Sequence, residues 1–105
     1  MLNERKELVM RARKGFELGS LYMTDGINSK ISEDLGFMQF VHNAFERYCN
    51  GDWGDLDEED KAMNDRAIAK DDDRILARYE YNGEPIYIIT EWDRSATTIL
   101  FSYEY

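Results

Sequence analysis

Residues 74–103 read RILARYEYNGEPIYIITEWDRSATTILFSY, and this run constrains the fold more than any other. Ile75, Ala77, Tyr79 and Tyr81 alternate with Arg74, Leu76, Arg78 and Glu80, the period-two pattern of a strand with one buried face. Asn82-Gly83 follows, a strong two-residue hairpin signal because a type I′ turn needs positive φ at both central residues. Pro85 then opens IYIITEW (86–92), Asp93-Arg94-Ser95 make a second tight turn, and TTILFSY (97–103) returns. The pattern predicts a three-stranded antiparallel meander over 74–103.

A meander with one apolar face needs a second layer to cover it. Ile31, Leu35, Met38, Val41, Phe45 and Tyr48 recur at spacings of three and four, which predicts a helix over about 32–49. Gly36 weakens its first turn, so a short turn at 28–33 is expected before it. Asn50-Gly51 ends it, since Gly takes the left-handed cap. Asp57 is a good N-cap for a further helix over about 57–69, with Leu56, Met63, Ala67 and Ile68 facing inward. LGSLYMT (18–24) reads as a short strand, Asp25-Gly26 as a turn, and 2–14 as a helix with Leu2, Leu8, Val9 and Ala12 on one face and Gly15 as its stop. With 105 residues, of which 43% are apolar, the chain suits one domain with one core. The expected class is α+β: a small antiparallel sheet, made of the C-terminal meander with or without the N-terminal strand, packed with two to three helices on one face.

Charge placement narrows the function classes. The net charge is −9, but residues 50–73 alone carry −7 and residues 1–15 carry +3. An acidic unit of this kind repels phosphate and attracts basic protein surfaces, so direct nucleic-acid binding through it is disfavoured. No apolar run approaches the ~18 residues of a membrane span. MLNERKELVMRARKG lacks the apolar segment of a secretory signal, and the expected compartment is the cytosol. The one cysteine, Cys49, reads as a small buried thiol. The one histidine, His42, lies mid-helix with no Ser or Cys paired to it by spacing.

Residues 50–65, NGDWGDLDEEDKAMND, place a tryptophan between two glycines and follow it with carboxylates. Part of this is structural. Asp57, Glu58, Glu59 and Asp60 lie where a helix N-terminus favours anions, and Trp53 suits a core anchor. Those roles leave Asp52, Asp55, Asp65 and Asp71-Asp72-Asp73 without a structural need, and the last three without an expected capping role. A calcium loop starting at Asp55 fails, because its sixth and twelfth positions are Asp60 and Arg66 rather than Gly and Glu. TEWDRSATT (90–98) adds Glu91, Asp93 and Arg94 at a sheet end, either as a self-bonded turn or as a polar recognition spot.

The phrases GDWGDLDEEDKAMND, RILARY, IYIITEWDRSATTILF and the terminal EY, spread over residues 36–105, carry a resemblance. In them the chain resembles a family of small acidic bacterial proteins borne on plasmids, phages and chromosomal islands. Members are labelled plasmid-related proteins or subunits of type I restriction systems. This chain is too short for a methylating subunit and lacks its catalytic motif. The family transfers no catalytic residues. What it implies is context: small acidic proteins of mobile elements are often anti-CRISPR or anti-restriction factors that occlude a basic nucleic-acid channel.

The expectation is therefore a non-enzymatic inhibitor in a bacterial cytoplasm. It would bind a defence nuclease such as a CRISPR effector through Asp52, Trp53, Asp55, Asp57, Glu58, Glu59, Asp65, Asp71, Asp72, Asp73, Glu91, Asp93 and Arg94. Trp53, Tyr48 or Trp92 would serve as aromatic anchor. No cofactor or metal is expected. The alternatives are an accessory protein of plasmid or phage maintenance that binds a basic host protein, and a small hydrolase or nuclease centred on the acidic loop, which metal-dependent turnover would support.

Overall fold

The structure is a computed structural model that describes residues 10–105. In chain order its elements are β1 (Ser20–Met23), α1 (Asp25–Glu33), α2 (Leu35–Cys49), α3 (Glu58–Lys70), β2 (Ile75–Tyr81), β3 (Glu84–Thr90) and β4 (Ala96–Phe101), then a short 3₁₀ turn, Ser102–Glu104. The fold is α+β.

The meander forms as its alternation requires. Ile75 pairs with Thr90 and Tyr81 with Glu84 across the Asn82-Gly83 turn, whose φ values are 51° and 85°. Ile86 pairs with Phe101 and Thr90 with Thr97 across the second turn. Ile75, Ala77, Tyr79, Ile86, Ile88, Ile99 and Phe101 are buried and share one core with the helices. The sheet is mixed rather than wholly antiparallel. β1 joins it parallel to β4, Ser20 against Ala96 through Met23 against Ile99, in the order β1-β4-β3-β2. The helices provide the crossover that a parallel pair needs.

Several local expectations are corrected. Asp25-Gly26 is not a turn but the start of α1, because Thr24 caps it by accepting from the Ile27 N–H (3.2 Å). The 28–33 stretch is thus helical, and Asp34 breaks the chain into two helices by capping α2 at Phe37 N–H (3.0 Å). That break resets the helical phase. The buried stripe of α2 is Phe37, Val41, Ala44 and Tyr48, while Leu35 and Met38 are exposed. In α3 the inward residues are Ala67 and Asn64, with Leu56 and Ile68 partly buried and Met63 exposed. Of the helix expected at 2–14, residues 1–9 lie outside the described residues. Residues 10–17 make a tight reversal instead, with Arg11 bridged to Glu17 and the Ala12 N–H bonded to Phe16 O (2.8 Å). The reversal lets Ala12, Phe16 and Leu18 all reach the core.

A buried hydroxyl chain crosses the core. Thr97 donates to Leu18 O (2.7 Å), so it must accept from Thr90 (2.7 Å), which in turn accepts from the Tyr48 hydroxyl (2.7 Å). Each of the three hydroxyls donates its proton along this path, the Tyr48 hydroxyl also lying 3.3 Å from Ile75 O, and none of the three is stranded. It ties α2, β3, β4 and the segment before β1 at one point.

Candidate functional site

The GDWG loop has its own structural reason. β2 is one of the two outer strands of the sheet, and unpaired edge groups are a liability. The loop covers part of that edge: Asp55 N–H donates to Arg78 O (2.7 Å) and Arg78 N–H to Trp53 O (3.3 Å). Asn64 of α3 covers the next position, its amide donating to Leu76 O (2.8 Å) and accepting from Leu76 N–H (3.1 Å). Gly54 has φ +76°, and a Cβ there would stand 2.0 Å from Arg78 O, so only glycine allows this approach. Trp53 points inward at 3% exposure, edge-on to Tyr48, with its indole N–H on Asp65 (3.2 Å).

The carboxylates divide into two groups. Asp52 belongs to the loop: Arg47 donates to it through Nε (2.7 Å) and Nη2 (3.2 Å), and the Gly54 N–H adds a third bond. Chiefly the Arg47 bonds hold its carboxyl below the usual carboxylate range. The guanidinium also lies over the Tyr79 ring at 5.0 Å, and burial pushes the Tyr79 hydroxyl well above its ordinary value. Asp57 caps α3 at the Asp60 N–H (2.8 Å), and Glu58 pairs with Lys61. Asp55 and Glu59 are exposed.

The second group lies at the other end of α3, whose 13 residues span about 20 Å. Here Asp71, Asp72 and Asp73 meet the β3–β4 turn with Glu91 and Asp93, and all five are exposed. The organiser is Arg94, buried to 8% exposure. Its Nη2 donates to Ala67 O (2.9 Å) and Asp72 O (3.3 Å). Its Nη1 reaches Asp73 O (2.6 Å), Trp92 O (3.2 Å) and Glu91 O (3.3 Å). The cation thus sits on the carbonyl end of α3, where the helix dipole favours it. It satisfies carbonyls from both loops at once and fixes them together. Its Nε makes no hydrogen bond and lies 3.8 Å from Asp71 Oδ1.

The backbone of this ridge is bent to suit. Asp71 (φ 54°) takes the left-handed position after α3, with its N–H on Ile68 O and the Asp72 N–H on Ala67 O, a Schellman ending. Asp71 therefore caps through its backbone, against the expectation that 71–73 cap nothing. Asp73 is also left-handed, and its carboxylate accepts from Arg74 N–H (2.8 Å). Asp93 accepts from Ser95 N–H (3.0 Å), and the bonding to Ser95 holds its carboxyl low. Trp92, at 66% exposure, stands in the same turn.

The expected site residues are therefore not one surface. Trp53, Tyr48 and Arg94 are interior, leaving Trp92 as the exposed aromatic beside the acids. Asp65 is held between Trp53 and Lys14. Thr97, expected beside the turn, belongs to the buried hydroxyl chain. The basic residues described near the N-terminus are paired, Arg13 with Glu46 (2.8 Å) and Arg11 with Glu17 (3.4 Å). His42 is exposed, 4.0 Å from Glu46, while Cys49 is buried and burial pushes its thiol up. Among the described residues, no His, Cys, Asp and Glu group of three or more is arranged to hold a metal ion, and no helix is long and apolar enough to cross a membrane.

Compared with known proteins, the chain matches no protein-family model, no curated protein and no solved structure.

Proposed function

We propose that this protein is a non-enzymatic binder of a basic protein surface, and that its partner is a nucleic-acid-binding defence nuclease such as a CRISPR effector. The observation that carries the reading is the ridge made by Asp71, Asp72, Asp73, Glu91 and Asp93, which places five carboxylates and the exposed Trp92 on two loops locked by one buried arginine. Rigid acids beside an exposed aromatic are what competition for a basic groove requires. Single surface pairs are worth only ~0–1 kcal/mol, so a preorganised set with an aromatic anchor is needed for tight binding. The resemblance of residues 36–105 to acidic mobile-element proteins supplies the counter-defence context.

Groove competition has a kinetic signature. The protein should inhibit strongly when it meets the nuclease before guide or target loading, and weakly afterwards. The complex should also loosen as salt rises from about 0.05 to 0.2 M, over which the screening length shortens. Order-of-addition cleavage assays at both salts test this. Salt-insensitive inhibition of preloaded complexes contradicts it.

A further inference from the structure

A groove of about 320 Å³ opens next to the ridge, between α3, the start of β2 and the C-terminal turn. Its apolar lining comes from Leu56, Met63 and Leu76. Tyr87 and Tyr105 add aromatic walls, set edge-to-face with centroids 5.7 Å apart. Asp60 and Asp73 bring carboxylates to the same groove, so an apolar channel is combined with negative charge.

We propose that this groove is the anchor site for an arginine side chain presented by the basic partner. An arginine has an aliphatic stem that packs on apolar surface and a planar, weakly hydrated guanidinium that stacks on aromatic faces and pairs with carboxylates. Leu56, Met63 and Leu76 fit the first requirement; Tyr87 or Tyr105, with Asp60 or Asp73, fits the second. The molecule already uses this chemistry once in full and once in its aromatic half alone. Arg47 lies over Tyr79 while donating two bonds to Asp52, and Arg74 lies over the Tyr105 ring at 6.0 Å, at the groove itself. Arg74 is exposed and occupies the position that an incoming guanidinium would take, so it acts as an internal competitor. Charge complementarity points the same way: residues 50–73, which supply Asp60 and Asp73, carry −7.

The inference rests on the reading of a basic partner, but its test needs no nuclease, so the two can fail separately. The probe is the peptide Ac-Gly-Arg-Gly-NH2, titrated into the ¹⁵N-labelled protein. Its citrulline counterpart, of the same shape without the charge, is the control. Saturable shifts are expected at the Asn64 side-chain amide, Leu76 and Tyr87. The citrulline peptide should bind at least about fivefold more weakly. Tyr105→Ala, at an exposed ring, should weaken the arginine peptide, and Arg74→Ala should tighten it by removing the competitor. Equal binding of the citrulline peptide, shifts centred on Asp52 and Asp55 or on the 91–93 turn, or indifference to Tyr105→Ala would each overturn the assignment.

Discussion

Replacing Arg94 by methionine isolates what the guanidinium does. Methionine keeps an unbranched apolar stem and faces the same left-handed backbone (φ 62°), so backbone strain nearly cancels between the two chains. What is lost is the cation and its bonds to five carbonyls. The two bonds under 3.0 Å, to Asp73 O and Ala67 O, count most; the other three are long and share donors. A hydrogen bond involving a charged group contributes about 1.5–3 kcal/mol, and part of that returns because a buried charge no longer needs desolvating. The expected loss is about 3 kcal/mol, a large share of the ~5–15 kcal/mol that holds a domain. In urea this moves the unfolding midpoint down by roughly 1–3 M with the slope unchanged. Hydrogen exchange should report the same event locally, as faster exchange at Asp71 and Asp72, whose N–H groups end α3. Arg94→Lys should recover less than half of the loss, because one ammonium cannot span both loops. An unfolding free energy within about 0.5 kcal/mol of the native protein's for Arg94→Met would refute the view that Arg94 locks the ridge.

Other expectations are more direct. Trp53→Ala should cost ~3–5 kcal/mol by thermal or chemical unfolding, the usual range for a buried tryptophan; an unchanged melting temperature would mean that Trp53 anchors nothing. Gly54→Ala should cost about 2 kcal/mol or more, since the new methyl meets Arg78 O and the backbone is left-handed, and circular-dichroism melts would read it. Asp52 has a folded pKa below its unfolded one, so the stability it contributes is present above the ordinary carboxylate pKa and is lost as pH falls through its lower folded value. Urea midpoints measured from neutral to acid pH should therefore fall less steeply for Asp52→Asn than for the native chain.

How much of this could be read in advance depends on the range of each signal. The meander was readable because alternation and the Asn82-Gly83 turn are local and agree with each other. The Asp57 cap and the Asn50-Gly51 ending were local too, whereas Trp53 suited both a core anchor and a partner contact, and its burial leaves only the first. β1 was found as a strand, but its parallel place beside β4 depends on a crossover that four residues do not encode. α1 was missed because Asp25-Gly26 carries a turn signal, whereas Thr24 before it is the N-cap that decides the matter. The resulting break at Asp34 shifted the buried stripe from Leu35 and Met38 to Phe37 and Ala44. At the site, the acids of 71–73 were read as surplus charge, and the five exposed carboxylates do gather at one end of α3. From the sequence, Arg94 belongs to a self-bonded turn or to a polar recognition spot. Its real bonds, to carbonyls 21 to 27 residues away, have no sequence pattern. The nearest clue was a lone arginine in the turn facing an uncompensated acidic run. Asn64 and Thr97 were overlooked for a similar reason: one looks like a polar helix residue and the other like a polar turn residue, yet both serve backbone groups inside the fold.

The central claim is that the 71–73 ridge carries partner binding by charge. Asp71 and Asp73 have positive φ, which asparagine tolerates and lysine does not, so Asp71→Asn/Asp72→Asn/Asp73→Asn removes charge without adding backbone strain. The measurement is inhibition of cleavage by an effector that the native protein blocks, with the inhibitor added before guide loading and the variant first shown to melt like the native chain. Loss of three surface pairs predicts inhibition weaker by about tenfold or more, with a smaller dependence on salt. A folded triple variant that inhibits as well as the native protein, with the same salt dependence, would contradict the claim.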